Sequence, residues 1–312
     1  MVYLLSCETP ENGGGIYAYN LDNGALEKCA YFPCDKPMYA VKCERGLCVL
    51  LRKPFSNLDE SGYFFIDEKL ENASEIKSTK GVVACHLTTD CDDVYAVNYL
   101  SGNIVKNGEL VETRKGKSVH PSRQTQPHTH FVEKTIGGYF AVCDLGTDTL
   151  AFYNKNLKLI SESKVPSGYG IRHLVFSKDN NFIYAINELI PSISVFSYNN
   201  GNANLLSTIE IECESEKANG AAIRISKNGK YLYVSLREEN SILVFKVNGK
   251  DLTLIQKTSC GGDSPRDFNI MENHLIVTNE KSSNVVVYKL ENNKIIKETA
   301  SIPLKNALCV VN

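Results

Sequence analysis

Tryptophan is absent from these 312 residues. The Trp-Asp signature that marks one large class of repeat propellers is therefore missing, which argues against that class. An excess of charge of either sign is also missing: 34 basic residues stand against 36 acidic ones, for a net charge of −2. Neither a nucleic acid nor an anionic membrane surface is an expected partner on that balance. No stretch approaches the ~18 apolar residues of a membrane span. The opening Met-Val-Tyr-Leu-Leu-Ser-Cys has no basic segment and no long apolar run, so it does not read as a secretory signal. Cys-x-x-Cys pairs are lacking although there are 11 cysteines, which removes the usual zinc-knuckle and dithiol motifs. Cys43, Cys48, Cys85, Cys143 and Cys309 lie among apolar residues and read as reduced, buried thiols of a cytoplasmic protein. There is no Gly-x-Ser-x-Gly elbow, calcium loop or phosphate loop.

What the chain has is a repeat. Residues 126–148, QPHTHFVEKTIGGYFAVCDLGTD, hold an apolar strand, a turn at Gly137-Gly138 and a second apolar strand ending in Asp144. The outline returns as GIRHLVFSKDNNFIYAINE (170–188), GAAIRISKNGKYLYVSLR (220–237) and SPRDFNIMENHLIVTNE (264–280). Each pair of strands is followed by a third, such as SISVFSYN or SILVFKVN, and a weaker fourth. Four short strands per ~40–50 residues is the period of a propeller blade. VYLLSCE near the start matches the second strand of a unit, and ALCVV (307–311) matches a first strand. The two ends therefore share a blade. The chain is expected to be all-β, one domain over 1–312, a seven-bladed β-propeller closed by its N- and C-terminal strands. The polar 113–126 segment reads as a loop on one face.

Aligning the units places polar residues at repeated positions. Second strands end at Glu8, Arg52, Tyr99, Asp144, Glu188, Arg237 and Glu280. First strands open with His86, with His128 and His130, with Arg172 and His173, with Arg224, and with Arg266. Such ends are expected to converge on the central channel as a mouth of acids, arginines and histidines. Buried there, they must pair with one another or await an anion. His128 and His130 alternate, so both are expected on one side of a strand. No third ligand follows at metal-binding spacing, so neither metal nor cofactor is expected. Asp148 is expected to cap the Leu-Gly-Thr turn.

At these residues the sequence resembles the lactonase family of seven-bladed propellers, which includes bacterial 6-phosphogluconolactonase and fungal carboxymuconate cyclase. The resemblance rests on Pro127-His128-Thr129-His130, Asp144-Leu-Gly-Thr-Asp148, Gly170-Ile171-Arg172-His173 and Asn187-Glu188. It continues through Ser235-Leu236-Arg237, Pro265-Arg266 and Asn279-Glu280. It is specific over 126–290 and looser before 120. It implies metal-independent hydrolysis of a small anionic sugar lactone, 6-phosphogluconolactone foremost. His130 would be the base. Arg172 and Arg237 would hold the anion and the oxyanion, and Glu188 would orient Arg172 or polarise water. His128, Asp144, Arg266 and Glu280 would complete the substrate-binding surface. Carboxymuconate-type cycloisomerisation and a non-enzymatic binding propeller stay open as alternatives, and the oligomeric state is not legible.

Overall fold

A computed structural model describes residues 1–312. Seven four-stranded antiparallel sheets form the chain. Blade 1 is built from both ends: Ala307–Val311 pairs with Val2–Ser6, followed by Gly15–Asp22 and Ala25–Pro33. The closing register sets Tyr3 against Val311, Leu4 against Val310 and Leu5 against Cys309. Blades 2 to 7 open with the inner strands Pro37–Cys43, Ala84–Asp90, Thr129–Lys134, Ile171–Phe176, Asn219–Ile225 and Pro265–Met271. The outermost strand of blade 2 is cut to Lys77–Ser78. The one helix is a 3-10 turn at Pro10–Asn12, and no helix is long and apolar enough to cross a membrane.

The middle strands are apolar on both faces because both faces are covered. In Phe182–Asn187 of blade 5, Ile183 and Ala185 pack toward blade 4 with Cys143, Leu150 and Phe152. Tyr184 and Ile186 pack the other way, against Ile223, Leu232 and Val234 of blade 6. There are seven such hydrophobic clusters, one at each blade interface, and the one between blades 7 and 1 holds Val2, Leu4, Ile276 and Val287. A closed ring leaves no inner sheet edge exposed. Truncating one of these core leucines or isoleucines to alanine costs about 2–5 kcal/mol.

A bulge recurs where each inner strand begins. In blade 4, Thr129 pairs with Asp144 and Phe131 with Cys143, leaving His130 outside the ladder. The same shift frees Arg172 in blade 5, Arg266 in blade 7, Met38 in blade 2, Cys85 in blade 3 and Leu308 in blade 1. In blade 6 the shift falls between Gly220 and Ile223 and holds Ala221. A bulge re-aims one side chain without breaking the strand beyond it. Six of these seven residues line the upper channel, and Ala221 meets Arg172 through its carbonyl.

The register then fixes two deeper layers. The next residue in each inner strand gives Tyr39, His86, Phe131, His173, Ala222, Asp267 and Cys309. Tyr39, His86, Phe131 and His173 stack into a plug, with His86–Phe131 centroids at 4.2 Å and His86 reaching across to His173 at 5.3 Å. Two residues further, Val41, Glu133, Val175, Arg224, Asn269 and Val311 line the opposite end.

Candidate active site

Arg52, Tyr99, Glu188 and Glu280, each following the last paired position of its second strand, face the upper mouth, together with Arg237, the last paired residue of its own. Their equivalents in blades 1 and 4 are Cys7 and Leu145. With the bulged residues beneath, they enclose a cavity of about 420 Å³, within the usual size for a small-molecule site.

The polar half centres on Glu188. Its Oε2 accepts from Arg172 Nε at 2.9 Å and lies 3.2 Å from Arg237 Nη2, while Oε1 accepts from Arg123 Nη2 at 2.5 Å. Burial alone would raise its pKa, but Arg237, Arg172 and Arg123 hold the carboxyl well below the usual range, so it is ionised. Arg172 lies fully beneath the cavity and also donates to the Ala221 carbonyl. Burial and the neighbouring Arg237 work against its charge, yet a guanidinium beside a carboxylate stays protonated. Arg237 Nε is buried and without a partner. Arg266 Nη1 reaches Glu280 at 3.4 Å.

His130 sits on the floor, 5% exposed, with Nδ1 unpartnered. Burial, then Arg172, hold its pKa well below the usual imidazole range, while Glu188 pulls the other way. The ring is therefore neutral at pH 7 and can accept a proton. Five arginines (Arg52, Arg123, Arg172, Arg237 and Arg266) face two glutamates, Glu188 and Glu280. The mouth holds an excess of positive charge. The opposite arc is apolar, made by Leu308, Met38, Cys7 and Cys85. Burial pushes the Cys7 thiol up to about 11 and the Cys85 thiol up to about 12, so neither is a thiolate nucleophile at neutral pH.

The structure brings together His130, Arg172, Glu188, Arg237, Arg266 and Glu280 as the sequence implied. It places His128 and Asp144 elsewhere. Asp144 is the last paired residue of its strand, one position before the cavity row, and side chains alternate along a strand. It is fully buried, accepting from Arg114 Nε at 2.8 Å and His128 N at 2.8 Å. Glu8 likewise yields its aligned place to Cys7, and His86, His173 and Arg224 lie deeper than the mouth. His128 precedes the bulge, so the expected alternation with His130 fails. Its ring stacks behind Tyr99 at 4.3 Å, with Nδ1 2.8 Å from the Tyr99 carbonyl. Gly146 permits this approach, since a Cβ there would sit 2.0 Å from the Gln126 carbonyl oxygen.

Arg123 is the residue that sequence reasoning missed. The 113–126 segment is the expected loop, but it is tied down and points inward. Arg114 anchors one end through Asp144, Tyr153 and Glu162. Asp148 anchors the other, accepting from Gln124 Nε2 at 2.8 Å and Ser118 Oγ at 2.5 Å, and from the Gly168 and Gly170 amides. Asp148 therefore binds two segments and does more than cap its turn. Among the cysteines, Cys48, Cys85, Cys143 and Cys309 are buried as expected, whereas Cys43 is half-buried.

The family model described as lactonase, seven-bladed β-propeller, matches residues 2–312. The chain belongs to the lactonase family. A protein of Staphylococcus aureus, itself uncharacterised, is 30% identical to it over 95% of this chain and 93% of its own. A crystal structure of a Lactobacillus plantarum protein superposes with a TM-score of 0.89 at 26% identity, covering 99% of this chain and 98% of that one. A candidate 6-phosphogluconolactonase from Bacteroides fragilis gives 0.87 at 26% identity, covering 99% and 96%.

Proposed function

We propose that this lactonase-family chain hydrolyses a small anionic lactone, with 6-phosphogluconolactone the first substrate to test. The observation that carries the reading is one cavity lined by a neutral histidine, four guanidinium groups and two carboxylates, with the guanidinium of Arg172 directly beneath it. The Bacteroides fragilis protein supports the choice of substrate through what it is described to be.

The chemistry follows from the charges. A water held at His130 attacks the lactone carbonyl and gives a proton to the imidazole. The tetrahedral oxyanion accepts from Arg237, whose buried Nε has no partner in the protein, and a donor already aimed at the developing charge costs no reorganisation during the reaction. Glu188 steadies the imidazolium as it forms, since its charge already favours protonation of His130. The imidazolium then protonates the ring oxygen as the acyl–oxygen bond breaks. Water is thereby added across the ester, leaving a hydroxy acid. The arginines Arg52 and Arg266 hold the remote anion. The apolar arc of Leu308, Met38 and Cys85 accepts the carbon face of the ring.

The experiment is turnover of 6-phosphogluconolactone, of unphosphorylated gluconolactone and of carboxymuconate. Acceleration over spontaneous hydrolysis, with kcat/KM at least tenfold lower for the neutral lactone, is expected. Turnover of the muconate alone moves the chain to cycloisomerisation, and no acceleration of any of the three refutes catalysis.

A further inference from the structure

The channel has a second mouth, and its charge is not balanced. Beyond the plug of Tyr39, His86, Phe131 and His173, the inner strands open on a cavity of about 430 Å³ at the opposite end. Its surface is largely apolar, with Phe131, Leu174, Phe176, Val310 and Val311 contributing. Glu133 projects into it without a hydrogen bond or an ion pair to any protein group. Arg224 lines the same space but is occupied elsewhere: Nη2 donates to Asp267 Oδ1 at 2.7 Å, and Nη1 donates to the Ile223 carbonyl at 2.9 Å. Lys42 at the rim pairs with Glu68 at 3.1 Å. A carboxylate in an apolar bowl, whose near cation Arg224 is shared with Asp267, is costly unless it takes up a proton or something brings it a further positive charge.

We propose that this far mouth is a second ligand site, separate from the proposed catalytic one, for a small organic cation. Its ammonium group pairs with Glu133, and its apolar or aromatic body lies against Phe131, Leu174 and Phe176. The cavity volume suits a ligand of that size, and the two phenyl rings offer cation–π faces as well as apolar surface.

Protonation follows from the same geometry. Burial pushes Glu133 up to about 7, with Arg224 opposing. The groups around it do not titrate in that range. His86 and His173 are held well below the imidazole range and Tyr39 well above the phenol range, in each case by burial first. Arg224 stays with Asp267, and Lys42 with Glu68. Lys134, next in the strand, pairs with Asp90 on the other face. Amine binding should therefore strengthen about tenfold from pH 6 to pH 8, as Glu133 goes from mostly protonated to mostly ionised.

The probe is 2-phenylethylammonium, measured by calorimetry against 2-phenylethanol and 3-phenylpropanoate. At pH 8 the amine should bind at least tenfold tighter than the alcohol, and the carboxylate should not bind. Glu133→Gln should erase the amine's advantage and its pH dependence, while Glu280→Gln at the other mouth should leave both intact. The amide variant removes an unpaired charge and is expected to fold. Equal binding of amine and alcohol to the parent protein overturns the proposal without any variant. So does amine binding that survives Glu133→Gln, or no binding of the amine at millimolar concentration.

Discussion

Replacing Glu188 with glutamine tests the centre of the site in two ways that do not depend on each other. The carboxylate is 4% exposed and bridges Arg172 and Arg237, with Arg123 as a third donor. The amide keeps the shape and one acceptor, but leaves buried guanidinium groups without a counter-charge. Breaking a buried pair from one side costs about 3–5 kcal/mol. Arg123 is 39% exposed, so its arm is screened and adds little. At roughly 2.1 cal/mol/K of unfolding entropy per residue, a chain of this length loses about 1.5 °C of Tm per kcal/mol, hence about 5–8 °C at pH 7. The carboxyl is held below its unfolded-state pKa, so the folded parent binds fewer protons than the unfolded chain across that window. Its stabilisation is full above about pH 5 and is lost as pH falls through the folded pKa. The variant should lack that acid-side loss, and the two melting curves should converge as pH drops from about 5 toward 3.

Turnover should respond differently. Removing Glu188 makes the mouth more positive, so KM for an anionic lactone should not rise. The imidazolium at His130 loses its counter-charge, so kcat should fall by about 10–10², or about 1.4–2.7 kcal/mol in the barrier. Thermal melts from pH 3 to 8 and initial-rate kinetics decide the matter. A variant with unchanged Tm at pH 7 refutes the ion-pair reasoning. A raised KM with parental kcat refutes the role given to Glu188.

Other outcomes follow. His130→Ala should lower kcat by roughly 10²–10⁴, while His274→Ala, at the end of the second strand of blade 7 away from the upper mouth, should keep parental kinetics in the same assay. Arg123→Ala should raise KM for the phosphorylated lactone by several-fold with little change in Tm, read by kinetics and melting side by side. Exhaustive chelation should leave turnover unchanged, as no three His, Cys, Asp or Glu side chains converge as ligands for a metal ion. Thiol titration under denaturing, non-reducing conditions should find nearly all 11 cysteines free.

The ring was legible because the repeat is written in apolar strands and turn residues, and because ALCVV and VYLLS are complementary halves of one sheet. Most of the site was legible for the same reason: equivalent residues in equivalent strands converge. The misplaced residues are each off by one position. In the second strand of blade 4 it is Leu145 that corresponds to Tyr99 and Glu188, so Asp144 stays in the ladder and meets Arg114 instead. In the inner strands a bulge adds a residue at the start, and sequence periodicity does not reveal where a ladder skips. The same slip set His86 and His173 among the mouth residues, although they form the plug beneath. Arg123 was hidden for a different reason. It lies in a loop without a repeat, and the anchors that turn it inward, Asp144 and Asp148, come from the next blade.

The bulge also explains how polar groups can sit at the axis of an apolar ring. A side chain held in the inner ladder is committed to the plug, the far mouth or a blade interface, as Phe131 is one layer down. A bulged residue has no such duty: its neighbours keep the register, and its side chain turns into the channel. Three of the seven bulged positions carry His130, Arg172 and Arg266, and three carry Leu308, Met38 and Cys85. The halves are contiguous around the ring apart from Ala221, whose small side chain leaves room for Arg172 to reach its carbonyl. Substitution in this layer changes what the mouth binds while the plug and the blade interfaces stay packed. Chemistry and stability are therefore set by adjacent residues of the same strand, one outside the ladder and one within it.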